Sequence, residues 1–212
     1  MKVTTKRGGG NSGRFRRWKA QDGQVCVDVG ASIGQSTGEI ISKGKDVRII
    51  AIEPGKEALS RFRYKSHPRV TLVPIGVSDK QGLILFSDYK VRDADQGYFV
   101  EDNPIHDIKE KNTNENRIPS PTTYKVFVDT LDNILDDLNI DTVDFLKMDI
   151  EGHEVQALSK FTKFKKGTLF HIEYHSNLDG ILAWLNENSI TVVEIVKWSE
   201  ENERTGEVYA VK

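Results

Sequence analysis

The stretch VCVDVGASIGQSTGEI, residues 25–40, runs from an apolar segment into an acid, two glycines and a polar segment with helical spacing. Gly30 and Gly34 let the backbone approach a ligand closely and adopt dihedrals that other residues avoid. The turn through Ala31 and Ser32 leads into a helix start, whose unpaired N–H groups suit an anion. Glu53, followed by Pro54, ends the next apolar run, where an acid can hydrogen-bond both hydroxyls of a ribose. A dinucleotide fingerprint would need G-x-G-x-x-G, but Ser32 and Gln35 stand at its later positions, and there is no G-K-[ST]. The loop therefore suits a smaller anion such as a ligand carboxylate. Asp28, just before it, can accept a hydrogen bond from an ammonium, directly or through water. Carboxylate, ammonium and ribose together describe S-adenosylmethionine. The competing reading is a glycine turn and a surface glutamate.

A second group is LKMDIEGHE, residues 146–154, an apolar run ending in acids. Methyl transfer from a sulfonium is an in-line displacement that needs alignment and, for a hydroxyl acceptor, a proton acceptor. Asp149 is placed near the reacting methyl group, and Asp149 or a neighbouring histidine, His175, is a candidate general base. A structural reading stands beside this: Asp149 and Glu151 cap the helix that begins near His153, favoured by its dipole. His153 reads as a partly exposed first-turn residue. Glu173 and His175, in HIEYHS, are either a hydrogen-bonded pair on the rim or contacts to the acceptor. Asp149, Glu151, Glu173 and His175 also make an oxygen-rich set of the sort that takes magnesium. Their spacing is not diagnostic, and no metal is expected. Near PIGVSD, Gly76, Val77 and Ser78 are candidates for a wall of an adenine pocket, with Asp79 beside them. The alternative is that Pro74 and Gly76 only end an edge strand.

The elements that must position these groups alternate. QVCVDVG, DVRIIAIEP and RVTLVPIGVSD read as strands, separated by helical patterns at QSTGEIIS and GKEALSRFRYKS. This alternation, with Val- and Ile-rich strands, points to a parallel sheet wrapped by helices. GLILFSDY reads as an extra strand. Residues 90–123 lose periodicity and carry Pro104, Pro119 and Pro121, which suggests a lid or mobile insertion. Regular patterns resume with KVFVDT, the helix LDNILDDL capped by Asp129 or Thr130, TVDFLKMDIEG, HEVQALSKF, TLFHIEYHS and LDGILAWLNEN. ITVVEIVKW and GEVYAVK, with no helix between them, form a terminal antiparallel hairpin.

The chain has 212 residues, enough for one domain with a sizeable core. Hydrophobic residues make up 37% and charged residues 29%, an ordinary globular balance. A net charge of −2 offers no global attraction to nucleic acid or anionic membranes. The single cysteine, Cys26, excludes an internal disulfide and lies in an apolar run, where it reads as a small buried hydrophobe. No apolar stretch reaches the length of a membrane span, and the basic N-terminus lacks a signal peptide's apolar segment, so the cytoplasm is the expected location. Residues 1–23 read as a basic, flexible segment in which Phe15 and Trp18 dock on the domain that spans residues 24–212. Its Lys and Arg residues, interleaved with aromatics, leave open a nucleic-acid docking arm.

VDVGASIGQST, IAIEPGKEAL, VTLVPIGVSD and VDTLDNIL…VDFLKMDIEGHEVQAL resemble, in order from about Val25 to His175, the blocks of FkbM-type methyltransferases. LKMDIEGHE is the most specific of them. The resemblance implies the class I S-adenosylmethionine-dependent fold: α/β, a doubly wound, mostly parallel seven-stranded sheet with its last strand antiparallel. It implies S-adenosylmethionine as cofactor and a hydroxyl acceptor on a sugar or another small molecule. Asp28, Gly30, Ala31, Ser32, Gly34, Glu53, Pro54, Gly76, Val77, Ser78 and Asp149 match the cofactor-binding blocks, with Asp149 and His175 as catalytic candidates. A nucleic-acid methyltransferase and a nucleotide-binding module without catalysis are the alternatives; the glycine spacing argues against a nicotinamide oxidoreductase. Departures from the family pattern fall in the short region before the first strand and in residues 90–123.

Overall fold

The computed structural model describes residues 2–5, 18–91, 94–100, 118–199 and 204–212. Its main sheet is built from β1 (Lys2–Thr5), β2 (Val25–Val29), β3 (Arg48–Ile52), β4 (Val70–Val73), β9 (Val143–Met148), β10 (Phe164–His175), β11 (Thr191–Lys197) and β12 (Thr205–Val211). The strand order is β1-β11-β12-β10-β9-β2-β3-β4. β4, β3, β2, β9 and β10 run parallel, while β12 is antiparallel to both β10 and β11. The order reverses between β2 and β9, and a ligand cleft forms outside the strand ends at such a switch point.

Burial explains the sequence of the central strands. Cys26, Val27, Asp28 and Val29 of β2 are all buried, so both faces of the strand are covered and the apolar run is continuous. On one face lie helices α3 (Leu131–Asp137), α4 (Glu154–Leu158) and α5 (Leu178–Glu187). Ile181, Trp184 and Leu185 of α5, at i, i+3 and i+4, join Ile172, Tyr174 and Val208 in the larger core. On the other face, α1 (Gln35–Lys43) sets Ile40 against Cys26, Ile49 and Phe145. Trp18 completes this layer, its ring stacked on Phe145 at a centroid distance of 4.4 Å. Trp18 therefore docks on the domain, as expected.

The segment before it departs from expectation. Lys2–Thr5 is not a free tail but an eighth strand, paired in parallel with Glu194–Lys197 at the sheet edge. Residues 6–17, which hold Phe15 and most of the basic cluster, lie outside the described residues.

Residues 76–129 contribute a second sheet, ordered β5-β8-β6-β7, from β5 (Gly76–Val77), β6 (Gly82–Val91), β7 (Ala94–Phe99) and β8 (Ile118–Asp129). Phe86, Phe99, Val126 and Val128 form its own apolar cluster. Of the segment expected to be an irregular lid, residues 90–91, 94–99 and 118–123 are strand, and residues 92–93 and 101–117 lie outside the described residues. The helix after β3 is also shorter than its pattern, α2 ending at Arg61 because Phe62 turns to an extended ψ of 121°. Among the described residues, no helix is long and apolar enough to cross a membrane.

Candidate functional site

A cleft of about 780 Å³, its solvent mouth included, opens at the carboxyl ends of β2, β3 and β9 and is walled by Phe86, Gly97 and Phe99 of the second sheet. The glycine loop forms its floor. Gly30 has φ +74°, and a Cβ there would lie 1.8 Å from the carbonyl oxygen of Asp149, so only glycine lets the ends of β2 and β9 approach this closely. The N–H groups of Gly30 and Ala31 both donate to the carbonyl of Ile52, tying the loop to β3. Gly34, at φ +94°, caps α1 and sits against Tyr64 rather than the cleft.

Glu53 reaches into the cleft from the end of β3. One carboxylate oxygen accepts from Ser32 N at 2.8 Å and the other from Gly55 N at 2.7 Å. Burial pushes its pKa up to about 7, against the lowering effect of those two backbone donors, and nearby Asp88 adds to the rise. Asp88 itself accepts from the Tyr124 hydroxyl, which in turn accepts from Lys56 N and so ties the second sheet to the start of the helix after β3.

Asp28 is fully buried and does not line the cleft. It accepts from the Thr37 hydroxyl at 2.6 Å and lies 3.4 Å from the ammonium of Lys147, its cross-strand partner. Lys147 donates to the Gly30 carbonyl at 3.1 Å and stands 3.7 Å from Asp149. One buried ammonium therefore organises the loop, Asp28 and Asp149 together. The readable signal for Lys147 was a lysine inside the apolar run DFLKM, in phase with Asp149 on alternating strand positions.

Beyond β9, the chain turns through Glu151 and Gly152, at φ 55° and 111°. Glu154 holds this turn: fully buried, it accepts from Ile150 N at 3.2 Å and Gly152 N at 3.1 Å. The structural reading in which Asp149 and Glu151 cap the following helix does not hold: that helix has His153 at its N-cap position with no side-chain cap, and both acids line the cleft. His175 sits behind them, Nδ1 at 3.2 Å from Glu154 and Nε2 at 3.6 Å from Glu151. Burial lowers its proton affinity, but Glu151, Glu154 and Asp149 outweigh that and push its pKa up to about 10. His153 is buried, not partly exposed: its Nε2 lies 3.0 Å from Ser78 Oγ and its ring packs 4.6 Å from Phe99. These contacts lock the second sheet to the acidic turn.

Of the residues singled out in the sequence, Gly30, Ala31, Ser32, Glu53, Pro54, Gly76, Val77 and Asp149 therefore line the cleft. Asp28, Gly34, Ser78 and His175 lie behind it. Glu173 is buried in β10 opposite Glu207, while His175 turns to Glu151 and Glu154. Sequence reasoning missed Lys147, the fixing role of Glu154, and the aromatic wall of Phe86 and Phe99.

A glycine loop, a buried acid at the end of the next strand and an acidic turn meet in one cleft at the switch point of a doubly wound α/β sheet. The methyltransferase FkbM domain family matches residues 28–190, and the chain belongs to that family. No curated protein matches it. Among solved structures it is similar to methyltransferase FkbM from Methylobacillus flagellatus, at 19% identity and a TM-score of 0.58, covering 92% of this chain. This chain spans only 45% of that longer protein. Precorrin-6y C5,15-methyltransferase from Geobacter metallireducens aligns at 13% identity and a TM-score of 0.54, over 94% of this chain and 85% of that one. A Streptococcus mutans chain solved in complex with SAH aligns at 12% identity and a TM-score of 0.50, over 91% and 90%. At these identities the likeness shows a shared fold.

Proposed function

We propose that the protein is an S-adenosylmethionine-dependent O-methyltransferase whose acceptor is a hydroxyl on a sugar or another small molecule. The observation that carries this reading is the pairing of Glu53 with the Gly30–Ser32 loop across one cleft. Each Glu53 oxygen takes one backbone N–H and keeps a lone pair, which suits the two hydroxyls of a ribose. The close approach at Gly30 seats the loop against the backbone of Asp149, so the loop and the acidic turn share one floor of the cleft. The cofactor supplies an electrophilic methyl group on a sulfonium.

The chain's own residues would bind, orient and accept a proton. Gly76 and Val77, with Phe86 and Phe99, form an apolar wall suited to the adenine face. Asp149 projects from the end of β9 into the cleft, where its carboxylate can accept the proton of an attacking hydroxyl. Lys147, held by Asp28 and the Gly30 carbonyl, fixes the position of that carboxylate. His175 acts from behind, through Glu151, and is a positioning residue in this reading.

Calorimetric titration with S-adenosylhomocysteine tests the cofactor, with NAD as control and Glu53→Ala beside the wild type. One site per chain for S-adenosylhomocysteine, weakened at least tenfold by Glu53→Ala, is the expected result. Equal binding of NAD, or no binding by folded protein at millimolar ligand, would discard the reading. Sugar and phenol hydroxyls, each incubated with S-adenosylmethionine, then sort the acceptors.

A further inference from the structure

We infer that Asp149, Glu151 and His175 form a binding site for a hard divalent cation, Mg²⁺ or Mn²⁺, at the edge of the cleft. Ligand-capable atoms of these three side chains all lie within 4.8 Å of one another. Two come from the turn after β9 and one from the end of β10, so adjacent strand ends bring them together.

The orientation of His175 is the second feature. Its Nδ1 faces Glu154, whose carboxylate can only accept, so Nδ1 keeps its hydrogen, and Nε2, turned toward Glu151, is the nitrogen whose proton a bound cation would displace. Glu154 is itself immobilised, buried and holding Ile150 N, Gly152 N and the Asn177 amide. A histidine oriented by a fixed carboxylate behind it is the arrangement that metal-ligating imidazoles use.

The donor set selects the ion. The two carboxylates are hard donors that suit Mg²⁺ or Mn²⁺, and the imidazole, a borderline donor, inclines the set toward Mn²⁺. Mg²⁺ commonly takes one or two carboxylates and keeps waters and substrate oxygens in its other positions. Asp149 and Glu151 line the cleft, so those open positions would face it. An acceptor hydroxyl bound there would be acidified and would pass its proton to the Asp149 carboxylate. That role rests on the methyl-transfer reading; the binding of the cation does not. Lys147, 3.7 Å from Asp149, competes for the same carboxylate and should keep the affinity modest.

The test is electron paramagnetic resonance of Mn²⁺ titrated into the full chain, with neither cofactor nor acceptor present. The expected result is one bound Mn²⁺ per chain, with a Kd at or below about 1 mM. Mg²⁺ should displace it, and Glu151→Gln and His175→Gln should each weaken it about tenfold or more. Thermal melts establish that each variant is folded, and either variant alone suffices if the other is not. No bound Mn²⁺ at 1 mM, or binding that a folded variant leaves unchanged, overturns the site. Because cofactor titration is read separately, neither failure is mistaken for the other.

Discussion

At Glu53 two effects oppose each other: burial disfavours the carboxylate, and two backbone N–H groups favour it. The balance leaves its pKa near 7, above the usual carboxylate value. A folded-state pKa raised in this way contributes stability below about pH 4.5 that is lost as pH rises through about 7. Ribose hydroxyls reverse the preference, because they donate to the ionised form. Below pH 7, binding must therefore displace a proton. We expect the affinity for S-adenosylhomocysteine to rise about tenfold per pH unit up to about pH 7 and then level off. In Glu53→Gln it should be weaker and flat with pH. Calorimetry between pH 5.5 and 8.5 reads both, and a flat wild-type profile would mean that Glu53 does not meet the ligand.

Between elements, the register of β2 with β9 does most to shape the site. It places Lys147 opposite Asp28, both within the sheet and both out of water. Removing one partner of a buried pair leaves an uncompensated charge and costs about 3–5 kcal/mol. Lys147→Met should therefore lower stability by about that much in urea denaturation. Adding Asp28→Asn to it should recover part of the loss, since the orphaned charge is gone. If Lys147→Met alone is neutral, the ammonium is not what holds the two strand ends. The same register brings Asp149 against Gly30, so the glycine loop and the acidic turn are positioned by one strand pairing.

Across the whole molecule, the two faces of the main sheet are covered differently. One face carries helices α3 to α5 and the larger core. The other has α1 and the residues just before β2, among which Trp18 stands out. It is 4% exposed and stacked on Phe145. Truncating a buried tryptophan costs about 3–5 kcal/mol, so Trp18→Ala should lower stability by that amount in chemical denaturation. A change below about 1 kcal/mol would show that the residues before β2 add nothing to the fold. The second sheet matters to function in another way. Phe86 and Phe99 from it, and His153 bonded to Ser78, turn an open strand edge into a closed wall of the cleft.

The alternation of strands and helices, the closing hairpin, the glycine loop, and the acids at the ends of β3 and β9 are all legible in the sequence. Those features are local: a strand buried on both faces needs a continuous apolar run, and a positive φ at close approach needs glycine. Pairing between distant segments was decided only by the tertiary structure. Asp28 reads as a ligand contact until β9 brings Lys147 beside it and turns it into support for the loop. His175 reads as a rim residue until Glu154, twenty-one positions away, fixes its ring. Lys2–Thr5 is indistinct as a sequence because a four-residue edge strand owes its form to the partner strand, not to its own pattern. The irregular-looking stretch around residues 90–123 likewise becomes strand where β6 offers a backbone to pair with, a long-range fact that periodicity does not encode.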